Sequence, residues 1–258
     1  MNFVDTHTHL YAEEFDTDRN EVIHRALENH VSTLLLPAID SAYHEKLLCL
    51  VSGFPELCFP MMGLHPTSVK ENFRDELVMV EKFLLNPNLK FYAVGEIGID
   101  FYWDKSFEKE QKLVFVHQVE VALSLSLPLE IHTRNSMEVT LSLLEERKSP
   151  NLSGVFHCFS GNLDQAERAI ALGFRLGIGG VVTYKNSGLQ KVVENTGLEH
   201  LLLETDAPWL PPAPYRGKRN EPSYLPFIAK KIAEIKNIPL EEVAAITSEN
   251  ARTLFKLN

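Results

Sequence analysis

The sequence predicts an α/β chain folded as a (β/α)8 TIM barrel, and three observations carry that expectation. Eight short apolar runs alternate with amphipathic stretches, which is the element count of such a barrel. The length, 258 residues, matches the roughly 250 that the fold typically needs as one unit. Imidazole or carboxylate side chains recur at the ends of the apolar runs, where a barrel would gather them on one rim. A doubly wound open sheet fits less well, because no Gly-rich phosphate turn follows the first run.

Taken in order, the expected strands are Phe3 to His7, Thr33 to Ile39, Cys58 to Leu64, Tyr92 to Glu96, Leu129 to His132, Gly154 to His157, Phe174 to Ile178 and Leu201 to Glu204. Helical periodicity marks Asp18 to Asn29, Ala42 to Ser52, Glu108 to Ser126 and Asp164 to Leu172 between them. Two further helices, about Pro222 to Lys236 and Leu240 to Phe255, are expected to close the barrel. The segment Pro208 to Pro214, continued by Tyr215-Arg216-Gly217-Lys218-Arg219, is too long for a minimal connection and follows the eighth strand, so it should overhang the catalytic face. No Pro/Gly/Ser-rich linker divides the chain, and one domain over residues 1–258 is expected.

Composition sets outer bounds. At 45% hydrophobic and 23% charged residues, the chain can bury a large core and shows no bias toward disorder. The first ten residues lack the basic start and apolar stretch of a secretory leader. The least polar stretch, Leu113 to Leu129, is interrupted by His117 and Glu120 and is too short to cross a bilayer. A cytoplasmic protein without membrane contact is the expectation, and no obligate protein partner is inferred. Cys49, Cys58 and Cys158 are odd in number and lack C-x-x-C spacing, which argues against a disulfide framework or a zinc ribbon. Strand alternation should turn Cys158 away from the rim, toward the helices. The net charge of −10 opposes nucleic-acid binding in general. Bound metal ions can nevertheless attract phosphate locally, since they are the largest charges in a site.

The chemistry is concentrated at the strand ends. His7 and His9 are two residues apart, a spacing that lets both imidazoles of an extended strand face one metal ion. Glu96, His132 and His157 end strands four, five and six, and Asp206 lies just past strand eight. Four imidazoles and two carboxylates exceed the three protein ligands of a single catalytic zinc, so two divalent ions are implied. The economical arrangement places His7, His9 and Asp206 on one ion and His132 and His157 on the other, with Glu96 bridging. A water between paired ions is acidified toward hydroxide and needs no serine or cysteine nucleophile. Asp206 is the candidate proton acceptor and, with Glu96, the candidate catalytic residue. Glu204 is expected to orient a neighbour from behind, and Asp5 to do the same. His65, ending strand three, could touch a scissile phosphate or a further ion. His24, His30, His44, His117 and His200 fall away from the rim.

The segments that carry these residues also form a recognisable set. Phe3-Val4-Asp5-Thr6-His7-Thr8-His9, Gly63-Leu64-His65-Pro66, Gly95-Glu96-Ile97-Gly98-Ile99-Asp100, His157-Cys158-Phe159-Ser160-Gly161 and Glu204-Thr205-Asp206-Ala207-Pro208 resemble the signatures of the TatD-type metal-dependent deoxyribonucleases of the amidohydrolase-like superfamily. So do Gly179 to Asn186, Pro214 to Pro222 and Glu249-Asn250-Ala251-Arg252, so the likeness spans the chain. The resemblance implies a TIM barrel with a two-metal centre on His7, His9, Glu96, His132, His157 and Asp206. It further implies divalent-cation-dependent hydrolysis of DNA, as 3' to 5' exonuclease action on single strands.

On the substrate side the residues say less. Arg216, Lys218 and Arg219 form a compact basic cluster expected near the rim and suited to phosphate oxygens. Tyr102, Trp103 and Tyr215 fall in rim loops and could stack unpaired bases. The alternative function is a binuclear enzyme acting on a small amide, lactone or phosphoester, since fold does not fix substrate. A non-catalytic metal- or nucleic-acid-binding role is disfavoured by the intact ligand set. The metal is open among Mg, Mn and Zn.

Overall fold

Strands and helices alternate as the sequence pattern predicts. The computed structural model describes residues 1–257. The strands are β1 (Phe3–Asp5), β2 (Val31–Leu36), β3 (Cys58–Pro60), β4 (Val94–Asp100), β5 (Leu129–Arg134), β6 (Gly154–Phe156), β7 (Phe174–Ile178) and β8 (Leu201–Leu203). The helices are α1 (Arg19–Glu28), α2 (His44–Gly53), α3 (Phe73–Leu84), α4 (Glu108–Leu125), α5 (Met137–Glu145), α6 (Leu163–Ala171), α7 (Leu189–Asn195), α8 (Leu225–Lys236) and α9 (Leu240–Phe255).

All strand pairs are parallel, in the orders β1-β2-β3 and β4-β5-β6-β7-β8. Two seams close these arcs into a ring. At one, Met62 N–H donates to Ala93 O and Gly95 N–H to Met62 O. At the other, Thr6 N–H donates to Leu203 O, Asp206 N–H to His7 O and His9 N–H to Ala207 O. A closed ring leaves no open strand edge, which is the stabilising logic of a barrel.

Burial follows strand alternation. Leu34 and Leu36 join the large apolar cluster with Val22, Ile23 and Leu47 of the surrounding helices. Leu35 between them belongs instead to a second cluster with Val4, Met61, Ala93, Val155 and Leu202, the layer filling the barrel interior. Ala251, Leu254 and Phe255 of α9 complete that layer and plug the end of the barrel opposite the rim. The C-terminal helix thus seals the floor of the barrel, while hydrogen bonds between β1 and the segment after β8 close its wall.

Two expectations require correction. Strand four does not end at Glu96: β4 runs on to Asp100, with a register shift against β5 between Val94 and Ile97. Such an irregularity re-aims side chains, so Glu96 reaches the site from inside a strand. Cys158 does not face the helices; it lines the central cavity. β6 stops at Phe156, and Cys158 adopts φ 45°, which breaks the alternation on which the expectation rested. No described helix is long and apolar enough to cross a membrane.

Candidate metal centre

A cavity of about 600 Å³ opens at the C-terminal ends of the strands. Its walls include His9, His65, Glu96, Asp100, His132, His157 and Asp206. The six residues expected as ligands gather at this end of the barrel, from the segments at or just past β1, β4, β5 and β6 and from the turn after β8, with His7 beneath the cavity wall.

Glu96 is the hub. Its Oε2 lies 3.4 Å from His7 Nε2 and 3.5 Å from His9 Nε2. Its Oε1 faces the other way, 3.0 Å from His132 Nδ1, 3.2 Å from His65 Nε2 and 3.4 Å from His157 Nε2. Asp206 Oδ1 stands 3.6 Å from His7 Nε2 and 3.9 Å from His9 Nε2. Asp206 has φ 57°, a left-handed turn immediately past β8 that an aspartate tolerates better than most residues.

Behind these groups stands a set of partners that fix ring orientation. Tyr11 donates its hydroxyl proton to Pro37 O at 2.6 Å, so its oxygen is left to accept from His9 Nδ1–H at 2.8 Å. His9 Nε2 is therefore a bare lone pair. Glu130 Oε1 is 2.8 Å from His7 Nδ1, and an ionised Glu130 leaves His7 Nε2 bare as well. The two Nε2 atoms are only 2.9 Å apart. Burial and the neighbouring imidazoles hold both rings far below the usual histidine range, so both are neutral at neutral pH, and their single ring protons sit on Nδ1 where Tyr11 and an ionised Glu130 accept them. Two facing lone pairs at that distance fit a cation between them.

The carboxylates point to the same need. Burial, reinforced by Glu96, Glu204 and Asp206, raises Glu130 well above the ordinary carboxylate range. Burial likewise lifts Asp206 far up, with Glu96 and Glu204 adding to it, and brings Asp5 and Glu204 to about 8. None of these four acids has a lysine or arginine as an ion-pair partner among the described residues; against burial, Asp100 and Glu96 hold His132 up to about 9, and divalent ions would supply further positive charge. Three donor groups have ligand atoms within 4.8 Å of one another: His7, His9 and Glu96; His7, His157 and Asp206; His65, Glu96 and His132.

His65 is drawn in more closely than its sequence position indicated, and Asp5 differs from expectation. Asp5 accepts from Thr205 N–H at 2.9 Å, Thr205 Oγ1 at 2.5 Å and His7 N–H at 3.3 Å, so it fixes backbone rather than an imidazole ring. Glu204 Oε1 accepts from Cys158 N–H and lies 3.3 Å from His157 Nδ1.

The basic cluster lies elsewhere. Arg219 forks onto Asp18 at 2.6 and 2.7 Å and sits over Phe15, Arg216 covers Tyr184, and none of Arg216, Lys218 and Arg219 borders the cavity. Tyr215 is stacked on Tyr224 with centroids 3.9 Å apart, leaving that face closed to a base. The loop folds back onto α1 and α8 because its charges and aromatics find partners there. Its first residues, Trp209 and Leu210, are the part that borders the cavity.

Sequence reasoning missed Glu130, Asp100 and Tyr11. Asp100 Oδ2 lies 3.0 Å from His132 Nε2. Glu130 precedes His132 by two residues on β5, so shared strand parity was the available signal. Tyr11 offers no such signal, since its contact with His9 depends on a loop.

Comparison with known proteins gives a consistent picture. A family model described as TatD related DNase matches residues 4–256. The chain is 38% identical over 255 residues to the Bacillus subtilis uncharacterized metal-dependent hydrolase YabD, covering 98% of this chain and 99% of that protein. It is 33% identical over 259 residues to the 3'-5' ssDNA/RNA exonuclease TatD of Erwinia tasmaniensis, covering 98% and 99%. The crystal structure of YjjV, a TatD homolog from Escherichia coli K12, superposes with a TM-score of 0.93 at 30% identity, covering 99% of this chain and 98% of that one.

Proposed function

Since the chain belongs to the TatD-related DNase family and is a metal-dependent hydrolase, we propose that it cleaves DNA phosphodiester bonds, removing nucleotides from the 3' end of single strands. The observation that supports this most is the division of Glu96, whose two oxygens face two separate imidazole sets. One carboxylate addressed to two donor groups suits a pair of ions, since a single side chain can then serve both.

In this reading His7, His9 and Asp206 would hold one ion and His132 and His157 the other, with Glu96 available to both. Ions bound there would supply the charge that acidifies a water and stabilises the pentavalent phosphorus transition state. Asp206, at the edge of the donor set, accepts the proton of the attacking water. Glu130, Tyr11, Asp100 and Glu204 keep the imidazoles of His7, His9, His132 and His157 in orientation. His65 accepts from Thr67 N–H through Nδ1 at 3.1 Å, which leaves Nε2 to carry its proton toward Glu96 and the cavity as a donor to phosphate oxygen.

The purified chain, loaded with Mg2+ or Mn2+, should shorten a 5'-labelled single-stranded oligonucleotide from its 3' end, and EDTA should stop it. An intact oligonucleotide alongside rapid turnover of an amide or lactone would reassign the site to a small-molecule hydrolase.

A further inference from the structure

The cavity wall carries a single arginine or lysine among the described residues, Arg134 at the end of β5. Its guanidinium carbon lies 3.7 Å from the ring centre of Tyr102 and 5.0 Å from that of Trp103. Arg19, Arg25, Arg168 and Arg219 are each paired with an acid. Arg134 has no acidic partner among the described residues, so its fork of donors is free.

The surrounding loop is held to the candidate metal centre. Asp100 Oδ1 accepts from Tyr102 N–H at 2.8 Å and Trp103 N–H at 3.2 Å, while its Oδ2 faces His132. Phe101 N–H donates to Arg134 O at 2.9 Å. The arginine and both aromatics are thus fixed relative to His132. Trp103, which borders the cavity, is 68% exposed, and Tyr102 beside it 53%, so bare aromatic surface adjoins the cavity.

We propose that Arg134, Tyr102 and Trp103 form the substrate clamp that selects unpaired DNA: Arg134 grips the phosphate beside the scissile bond and the exposed Trp103 face stacks the base attached to it. The clamp rests on the phosphodiesterase reading given above. To stack on the cation-backed aromatic while its phosphate meets Arg134, the base must turn out of the helix, which a single strand allows freely and a duplex end allows only by breaking a base pair. A guanidinium seated on aromatics keeps its planar fork aimed and suits a phosphodiester better than a small neutral amide or lactone. The clamp also takes over the phosphate-holding role that the sequence had assigned to Arg216, Lys218 and Arg219.

The test uses the metal-loaded enzyme with three substrates: a short single-stranded oligonucleotide, the same sequence as a blunt duplex, and bis(p-nitrophenyl) phosphate. Arg134→Ala should raise KM for the single strand by about ten- to hundred-fold with a smaller effect on kcat, and its loss on the oligonucleotide should exceed its loss on the small diester by about ten-fold. Trp103→Ala, a substitution at an exposed position, should narrow the preference for single strand over duplex. Equal losses of Arg134→Ala on both phosphodiesters, or an unaltered strand preference in Trp103→Ala, would overturn the clamp while leaving the nuclease reading intact. A parent enzyme that cleaves neither phosphodiester with any divalent ion would overturn both.

Discussion

Glu130 Oε1 lies 2.8 Å from His7 Nδ1, and both side chains are wholly excluded from solvent. A buried carboxylate of that kind sets which nitrogen of the ring is available for a metal. Glu130→Gln should keep the fold but lower the affinity of the first ion by about 10- to 100-fold. Isothermal titration with Mn2+ or Zn2+ checks this, and parent-like affinity would remove Glu130 from the metal site.

Glu96 and Asp206 should separate metal retention from turnover. Glu96→Ala removes the group both donor sets share, so metal analysis should find occupancy lost along with activity. Asp206→Asn retains an oxygen donor but cannot accept a proton, so it should keep most of its metal while kcat falls by about a hundred-fold or more. Equal turnover by Asp206→Asn and parent would take Asp206 out of the proton transfer.

Gly177 leaves the space that Glu204 fills. A Cβ there would overlap Glu204 Oε2 and come within 3.2 Å of the His157 backbone. Gly177→Ala should therefore displace Glu204 and loosen His157, costing about 1–3 kcal/mol of stability and reducing metal occupancy. Thermal melts with and without metal read both effects, and unaltered values in both would contradict the packing argument.

Glu221 gives a pH dependence from outside the donor set. Burial opposes its ionisation, but Arg25 at 2.6 Å and Ser223 outweigh that and hold it below the ordinary carboxylate range. A depressed folded-state pKa stabilises the fold above the unfolded value of about 4.3 and loses that stabilisation as pH falls through the folded value. Glu221→Gln should thus lower Tm by about 3–6 °C at pH 7, and the gap should close in acid. A gap that stays constant down to pH 3 would refute the linkage.

Phe255 tests the barrel floor. It is 1% exposed at the end of α9, so Phe255→Ala should cost about 3–5 kcal/mol in denaturant unfolding. A cost near zero would mean that α9 does not seal the interior.

The alternation of short apolar runs with amphipathic segments was enough to predict the barrel, and the recurrence of His and acidic residues at run ends pointed to six side chains that the fold does bring together. Both are periodic or positional signals that the chain carries locally. β7 and α9 have the bounds expected of them, and α1 and α6 lie within one residue at each end. Position in the chain could not reveal how Glu96 would be aimed, because a register shift against β5 lets β4 continue past it. Nor could it reveal that Cys158 turns inward at a left-handed φ. Contacts between residues far apart in sequence were decided only by tertiary packing. Glu130 meets His7 across 123 positions and Arg219 leaves the rim for Asp18 across 201, each because a buried or half-buried charge takes the partner that the fold brings within reach. Sequence therefore determined the fold and which imidazoles and carboxylates stand at the strand ends, whereas packing decided the orientation of each ring and left Arg134 on the cavity wall without an acidic partner among the described residues.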